Sequence, residues 1–258
     1  MYKLFFNDTL DQMDLLIKEG IRVDAVITDI PYGTTKCLWD VIIPFGPMWD
    51  RLSQMKRNKN TPVILFGQEP FSSLLRASNL SQYKYDCYWE KERLTNIAQV
   101  KNRPGKVIET ISVFYEKQCF YDPQMVEYSG PKRGNKVKNG KMGVLTDSQK
   151  KPVFEYRDNG LRYPTQILKF KRDILKENYH DTQKPVALME YLVKTYTKPG
   201  DTILDFTCGS GSTGIAAIKN NRNFIGIDNG RCDKDNKYYG WTWVDVTEDR
   251  IKKIKKAR

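Results

Sequence analysis

The segment Thr202-Ile203-Leu204-Asp205-Phe206-Thr207-Cys208-Gly209-Ser210-Gly211-Ser212-Thr213-Gly214, with Phe224-Ile225-Gly226-Ile227-Asp228 after it, decides how this chain reads. A short apolar run ends in an acid and a glycine turn. A helix is expected over residues 212–220, and a second apolar run ends in another acid. Strand, turn, helix and strand at this spacing make half of a Rossmann-like unit, so an α/β scaffold with a parallel sheet is expected. Glycines at the end of a strand let a ligand approach the backbone, since a side chain there would fill the ligand's space. No third glycine stands at the distance the dinucleotide fingerprint requires. Asp205 would repel a phosphate at this turn and attract an ammonium group. Asp228 stands where an acid meets ribose hydroxyls in nucleotide-binding α/β units.

Working outward, residues 23–28 read as a buried strand preceded by a helical pattern over 10–18. Residues 62–66, 83–90 and 110–115 read as further strands, with helices over 71–78 and 185–196. A last helix is expected to be capped by Thr247. The strand over 23–28 runs into Asp29-Ile30-Pro31-Tyr32-Gly33. This places a carboxylate, a carbonyl and an aromatic ring at a strand's C-terminal edge, where open α/β sheets bind ligands. A base turned out of a duplex needs a ring to stack on and acceptors for its exocyclic amine. Tyr32 offers the ring face; the Asp29 carboxylate and the Ile30 carbonyl offer the acceptors. A plain turn built on Pro31 and Gly33 would read the same way.

The 258 residues are 40% hydrophobic and 12% aromatic, as expected for one sizeable globular domain. No apolar run approaches the ~18 residues of a membrane span. The first residues turn polar too quickly for a signal peptide, so a cytoplasmic protein is expected. Five scattered cysteines and a single histidine argue against zinc or a disulfide framework. The net charge of +12 is concentrated: from Arg93 to Arg172 there are 17 Lys and Arg against 7 Asp and Glu. Such a block suits a polyanion, because neutralised phosphates release counterions; a solubilising surface is the plainer alternative. The densest part, residues 129–141, offers Lys132, Arg133, Lys136, Lys138 and Lys141 as phosphate contacts.

Together these motifs resemble the amino-methyltransferases of DNA in the beta arrangement, where the catalytic half precedes the cofactor half. Asp29-Ile30-Pro31-Tyr32 resembles the family's Asp-Pro-Pro-Tyr. His180-Asp181-Thr182-Gln183-Lys184-Pro185 resembles His-Pro-Thr-Gln-Lys-Pro. Residues 205–214 resemble Asp-Pro-Phe-x-Gly-Ser-Gly-Thr-Thr-Gly, and 224–228 resemble Phe-Ile-Gly-Ile-Glu. The resemblance implies a Rossmann-like S-adenosylmethionine-dependent methyltransferase fold with a mostly parallel seven-stranded sheet and circularly permuted motif order. It implies a catalytic half over 1–92, a target-recognition insertion over 93–165 and a cofactor half over 166–258.

It further implies that Asp29, Ile30, Pro31 and Tyr32 are catalytic. S-adenosyl-L-methionine is expected to meet Asp8, His180, Thr182, Lys184, Asp205, Phe206, Thr207, Cys208, Gly209, Ser210, Gly211 and Asp228. The substrate is expected to be double-stranded DNA and the target N6 of adenine, because Asp in first place tends to accompany adenine in this family. Cytosine N4 is the alternative, and a non-catalytic nucleic-acid-binding protein with a decayed methyltransferase fold is a third reading. A homodimer and a cognate restriction endonuclease are the partners the family suggests. No cysteine follows a proline, so cytosine carbon-5 chemistry is not expected. Three departures stand out: Ile30 and Asp181 each replace a proline, and Phe206-Thr207 replaces Pro-Phe.

Overall fold

Short runs of β-branched and aromatic residues, buried on both faces, build the centre of the fold. A computed structural model describes residues 1–35, 37, 39–128, 130, 160–173, 179, 180 and 182–256. The chain forms two compact units, one of Met1–Asp122 with Thr165–Arg258 and one of Pro123–Pro164. In the larger unit the strands are β1 (Tyr2–Phe6), β2 (Ala25–Thr28), β3 (Val63–Gly67), β4 (Tyr83–Glu90), β5 (Ile108–Phe114), β8 (Ile167–Lys169), β9 (Thr202–Asp205) and β10 (Asn223–Asp228). Its helices are α1 (Thr9–Lys18), α2 (Phe45–Met55), α3 (Phe71–Ser78), α4 (Val186–Tyr196), α5 (Ser212–Lys219) and α6 (Trp243–Lys256). In the smaller unit β6 (Val126–Glu127) pairs antiparallel with β7 (Leu161–Arg162).

The sheet order is β1-β10-β9-β2-β3-β5-β4-β8. From β1 to β3 every pairing is parallel; β5 then runs antiparallel to both β3 and β4, and β8 is parallel to β4. The sheet is therefore mostly parallel but has eight strands where seven were expected. The eighth is the short edge strand β8, whose three residues carry too little periodicity to be read as a strand.

Neighbouring residues of one strand face opposite layers, which is why the central runs are continuously apolar. Ile27 and Ile203 face a core made with Leu188, Leu192, Ile215 and Ile251, from α4, α5 and α6. Val26 and Leu204 face the opposite core, made with Met13, Leu16, Leu52 and Leu75, from α1, α2 and α3.

Within the stretch 93–165, which the resemblance implies as an insertion, β5 lies inside the sheet and the second unit spans Pro123–Pro164. Thr247 lies buried within α6 instead of capping it. The helix start is secured by Thr242 and Asp245: the Asp245 carboxylate accepts from the Thr242 amide, and the Thr242 hydroxyl accepts from the Asp245 amide. Sequence alone favoured Thr247 because acids follow it, and Thr242 has the same signature.

Adjacent β2 and β9 are the point where the chain's crossovers diverge, one half leading to β10 and β1, the other to β3. Open α/β sheets hold ligands outside the carboxyl ends of strands at such a switch.

Candidate active site

Asp205 ends β9, and Asp29 follows the end of β2, so the switch point brings two carboxylates together. Between them lies a run of hydroxyls. The Thr28 hydroxyl meets Asp205 Oδ1 at 2.6 Å and the Thr207 hydroxyl at 2.7 Å, and Thr207 reaches the Asp29 carbonyl at 3.1 Å. The Thr28 hydroxyl donates to Asp205, and the Thr207 hydroxyl donates to the Asp29 carbonyl. Burial pushes the Asp205 carboxyl up to about 6, against the opposing bonds from Thr213 and Thr28. Thr207, standing where the family pattern has phenylalanine, thus ties the glycine turn to the loop that follows β2.

The loop that follows β2 is fixed by Asp40. Its carboxylate accepts from the amides of Tyr32, Gly33, Thr34 and Thr35 and from the Thr35 hydroxyl, all at 2.7–2.9 Å. These bonds outweigh desolvation and hold the Asp40 carboxyl below its ordinary range. Gly33 has φ +65°, a conformation that favours glycine. The Ile30 side chain is buried in the core, and its carbonyl accepts no hydrogen bond among the described residues. The loop therefore leaves one acceptor open beside Asp29.

Asp29 itself is clamped. Its Oδ1 accepts from the Tyr32 hydroxyl at 2.5 Å and its Oδ2 from the Lys184 ammonium. Lys184 also reaches Glu109 at 2.7 Å, and the other Glu109 oxygen meets Lys91 at 2.6 Å. The Tyr32 hydroxyl touches Glu109 as well, at 2.9 Å. Two carboxylates, Glu109 buried and Asp29 partly exposed, thus balance the Lys184 and Lys91 ammoniums. Burial raises the Asp29 carboxyl despite Lys184, whereas Lys184 and Lys91 overcome burial at Glu109 and bring it down to about 2. Asp29 and Glu109 together hold the Lys184 ammonium protonated against the same burial.

The sequence reading missed Glu109 and Lys91, because nothing marks them within a strand and its loop until β5 lies beside β3. It also gave Tyr32 a ring and no role for its hydroxyl. In the structure that hydroxyl bonds Asp29, while the half-buried ring packs 5.3 Å from Phe71. Lys184, expected at the cofactor, has its ammonium between Asp29 and Glu109.

At the glycine turn, Gly209 (φ +46°) donates its amide to Asp228 Oδ2 at 2.8 Å, and Gly230 donates to Oδ1 at 2.8 Å. The Gly209 carbonyl accepts from Thr247, and the Ser210 carbonyl accepts from Arg250. Phe206 and Cys208 turn their side chains into the core, so only their backbone faces the turn. His180 pairs with the Thr182 hydroxyl at 2.7 Å and sets its ring edge-on to Trp243. Asp8 is the exposed N-cap of α1; Thr9 beside it donates to the Phe206 carbonyl. Lys132, Arg133, Lys136, Lys138 and Lys141 lie outside the described residues, as does Asp181.

Two observations test whether this turn suits the expected cofactor. Asp205 is buried with neutral hydroxyl and amide partners, leaving a carboxylate ready for an ammonium. The Ser212 hydroxyl, at the start of α5, is buried without a hydrogen-bond partner among the described residues. An ammonium donor and a polar partner at this helix start are what S-adenosylmethionine's amino acid moiety supplies, so the residues fit it.

The chain matches the family model described as DNA methylase, of the N6/N4 class, over residues 23–235. It is 32% identical over 239 residues to a DNA adenine methyltransferase, YhdJ, of Escherichia coli K12, covering 87% of this chain and 77% of the relative. A Type II methyltransferase of Moraxella bovis, M1.MboII, is 27% identical over 86% of this chain and 88% of its own length. Among solved structures, the M1.HpyAVI complex with S-adenosylmethionine superposes with a TM-score of 0.63 at 22% identity, over 97% of this chain and 99% of that one. The cytosine-N4-specific PvuII DNA methyltransferase superposes with a TM-score of 0.57 at 12% identity, over 100% and 93%. The chain belongs to the N6/N4 DNA methylases. It is an S-adenosylmethionine-dependent DNA methyltransferase acting on an exocyclic base amine.

Proposed function

We propose that the target is N6 of adenine, turned out of duplex DNA and held by Asp29, the Ile30 carbonyl and Tyr32. The observation that carries this reading is the clamp on Asp29, which fixes a carboxylate beside an open carbonyl at the carboxyl end of β2. When bound, S-adenosylmethionine supplies an electrophilic methyl group on its sulfonium. An exocyclic amine is a poor nucleophile because its lone pair is delocalised into the ring. Donating its two protons to Asp29 and Ile30 favours a tetrahedral nitrogen and opposes the positive charge that develops there. Carboxylate oxygens accept more than one bond, so Tyr32 and Lys184 leave Asp29 capacity for the amine. Asp205, Ser212 and Asp228 are proposed to hold the cofactor's amino acid and ribose ends.

Asp in first place of the motif and the adenine specificity in the name of the E. coli relative favour adenine over cytosine. The basic residues Lys132, Arg133, Lys136, Lys138 and Lys141 are proposed phosphate contacts, and the cytoplasm is the proposed location. No helix among the described residues is long and apolar enough to cross a membrane. A cognate endonuclease is suggested by the Type II name of the Moraxella relative, and a homodimer would supplement the small second unit. Labelled methyl transfer to unmethylated DNA, followed by nucleoside digestion, tests the reading. N6-methyladenine is expected; N4-methylcytosine as sole product overturns the base, and no label in DNA overturns the reaction.

A further inference from the structure

We propose that the hairpin of residues 91–107 enters duplex DNA beside the target base, with Ile97 as an apolar wedge and Arg93, Lys101 and Arg103 on flanking phosphates. This rests on the reading that the base leaves its stack. Because β5 is antiparallel to both β3 and β4, the carboxyl end of β4 opens on the same sheet edge as Asp29 and Asp205. The hairpin that leaves it is built. Lys91 N donates to the Val107 carbonyl at 2.7 Å, Thr95 N to the Lys106 carbonyl at 3.0 Å, and Lys106 N to Asn96 Oδ1 at 2.5 Å. Its base is stapled into the catalytic cluster through Lys91 on Glu109. Its position relative to Asp29 is therefore set by the same charges that set Asp29.

The tip presents Ile97 at 72% exposure, on the short 3-10 turn Ile97–Gln99, with Val100 at 43%. Exposed apolar side chains on an ordered turn cost solvation and fold nothing, so they suit a partner. Arg93, Lys101 and Arg103 around them are exposed and make no ion pair among the described residues. Three free cations round an apolar tip complement a polyanion with an apolar interior. Removing a base from the stack leaves such an interior open, and apolar side chains inserted between base steps are a recurrent way to fill it. A second copy of this chain, equally basic, would bring like charges together at this tip.

The test uses the full chain, an unmethylated plasmid and a labelled random-sequence duplex. Arg93→Gln/Lys101→Gln/Arg103→Gln should flatten the log–log salt dependence of duplex binding by about 2.7, at ~0.9 for each phosphate contact. Ile97→Ser should lower methyl transfer to the plasmid about tenfold, with melting temperature and cofactor affinity unchanged. The modified base can be located by sequencing the wild-type product. On a duplex where that base faces a mismatch, and so unstacks more easily, Ile97→Ser should come within about threefold of wild type. An unaltered salt slope overturns the phosphate contacts. Full plasmid activity in Ile97→Ser, or the same loss on both substrates, overturns the wedge. Loss of a dimer with unchanged DNA binding makes the tip a self-association surface and overturns both. Failure of wild-type transfer would count against the proposed reaction, while the salt slope still judges the hairpin.

Discussion

Lys184 shows how one side chain can carry two burdens. Its ammonium is nearly buried yet remains charged, because two carboxylates within bonding distance offset the lost hydration. Glu109→Gln removes one of them and leaves Lys184 with Asp29 alone. Burial then weighs more against the Lys184 ammonium, so its pKa falls and the alkaline limb of kcat/KM moves to lower pH. A pH–rate profile that superimposes on wild type would remove Glu109 from the account. Tyr32→Phe keeps the ring but frees Asp29 Oδ1 from its donor. Loss of one charge-assisted hydrogen bond, worth about 1.5–3 kcal/mol, should lower kcat roughly tenfold or more with little change in KM for DNA. Retention of full rate would return Tyr32 to stacking alone.

Among the elements, the turn between β9 and α5 shows the sharpest division of labour between neighbouring glycines. Gly211 has φ +80°, and a Cβ there would lie 2.5 Å from Thr247. Thr247 in turn holds the Gly209 carbonyl. Gly211→Ala should therefore destabilise the fold by about 1–3 kcal/mol and disturb the turn. A Cβ at Gly209 meets nothing within 4 Å, so Gly209→Ala carries its backbone cost at φ +46° and obstructs a ligand's approach. Thermal unfolding and calorimetry should show the larger melting loss in Gly211→Ala, and in Gly209→Ala a cofactor defect out of proportion to its stability. Equal stability losses in the two variants would count against this division. This turn was legible in sequence because its constraints are local: a strand period, two glycines and an acid within ten residues. The cluster around Glu109 was not, since its partners come from the segments after β2 and β4 and the loop before α4, and only the sheet order brings them together. Thr247 was misread for a related reason: its partner, the Gly209 carbonyl, lies 38 residues away.

For the molecule as a whole, pH sensitivity follows from which carboxylates the switch point buries. Asp205 titrates near 6 in the folded chain and near 4 in the unfolded one. Between those values the folded state binds more protons, so this group's contribution falls as pH rises through 4–6, by up to about 3 kcal/mol. Glu109, depressed to about 2, acts oppositely and loses its contribution as pH falls from 4 towards 2. Asp205→Asn should match wild-type stability at pH 4 and exceed it at pH 7, measured by denaturant midpoints without cofactor. Equal midpoints at pH 7 would mean that Asp205 is not penalised by burial. The α/β plan with a parallel sheet was readable from the strand, turn and helix spacing, and the permuted motif order from the resemblance of the motifs to the family's. The eighth strand and the limits of the second unit were not, because β8 is three residues long and β5 sits among basic loop sequence.

The central claim is that Asp29 draws the amine's protons as charge develops, and one comparison tests it most directly. Wild type, Asp29→Ala and Asp29→Asn are assayed for single-turnover methyl transfer to DNA, with cofactor affinity measured by calorimetry on the same samples. Both variants should lose about a hundredfold to a thousandfold in rate, the scale for removing one preorganised electrostatic stabiliser, while cofactor affinity stays within a few-fold. Full transfer by Asp29→Ala, with the cofactor bound as in wild type, would contradict the account.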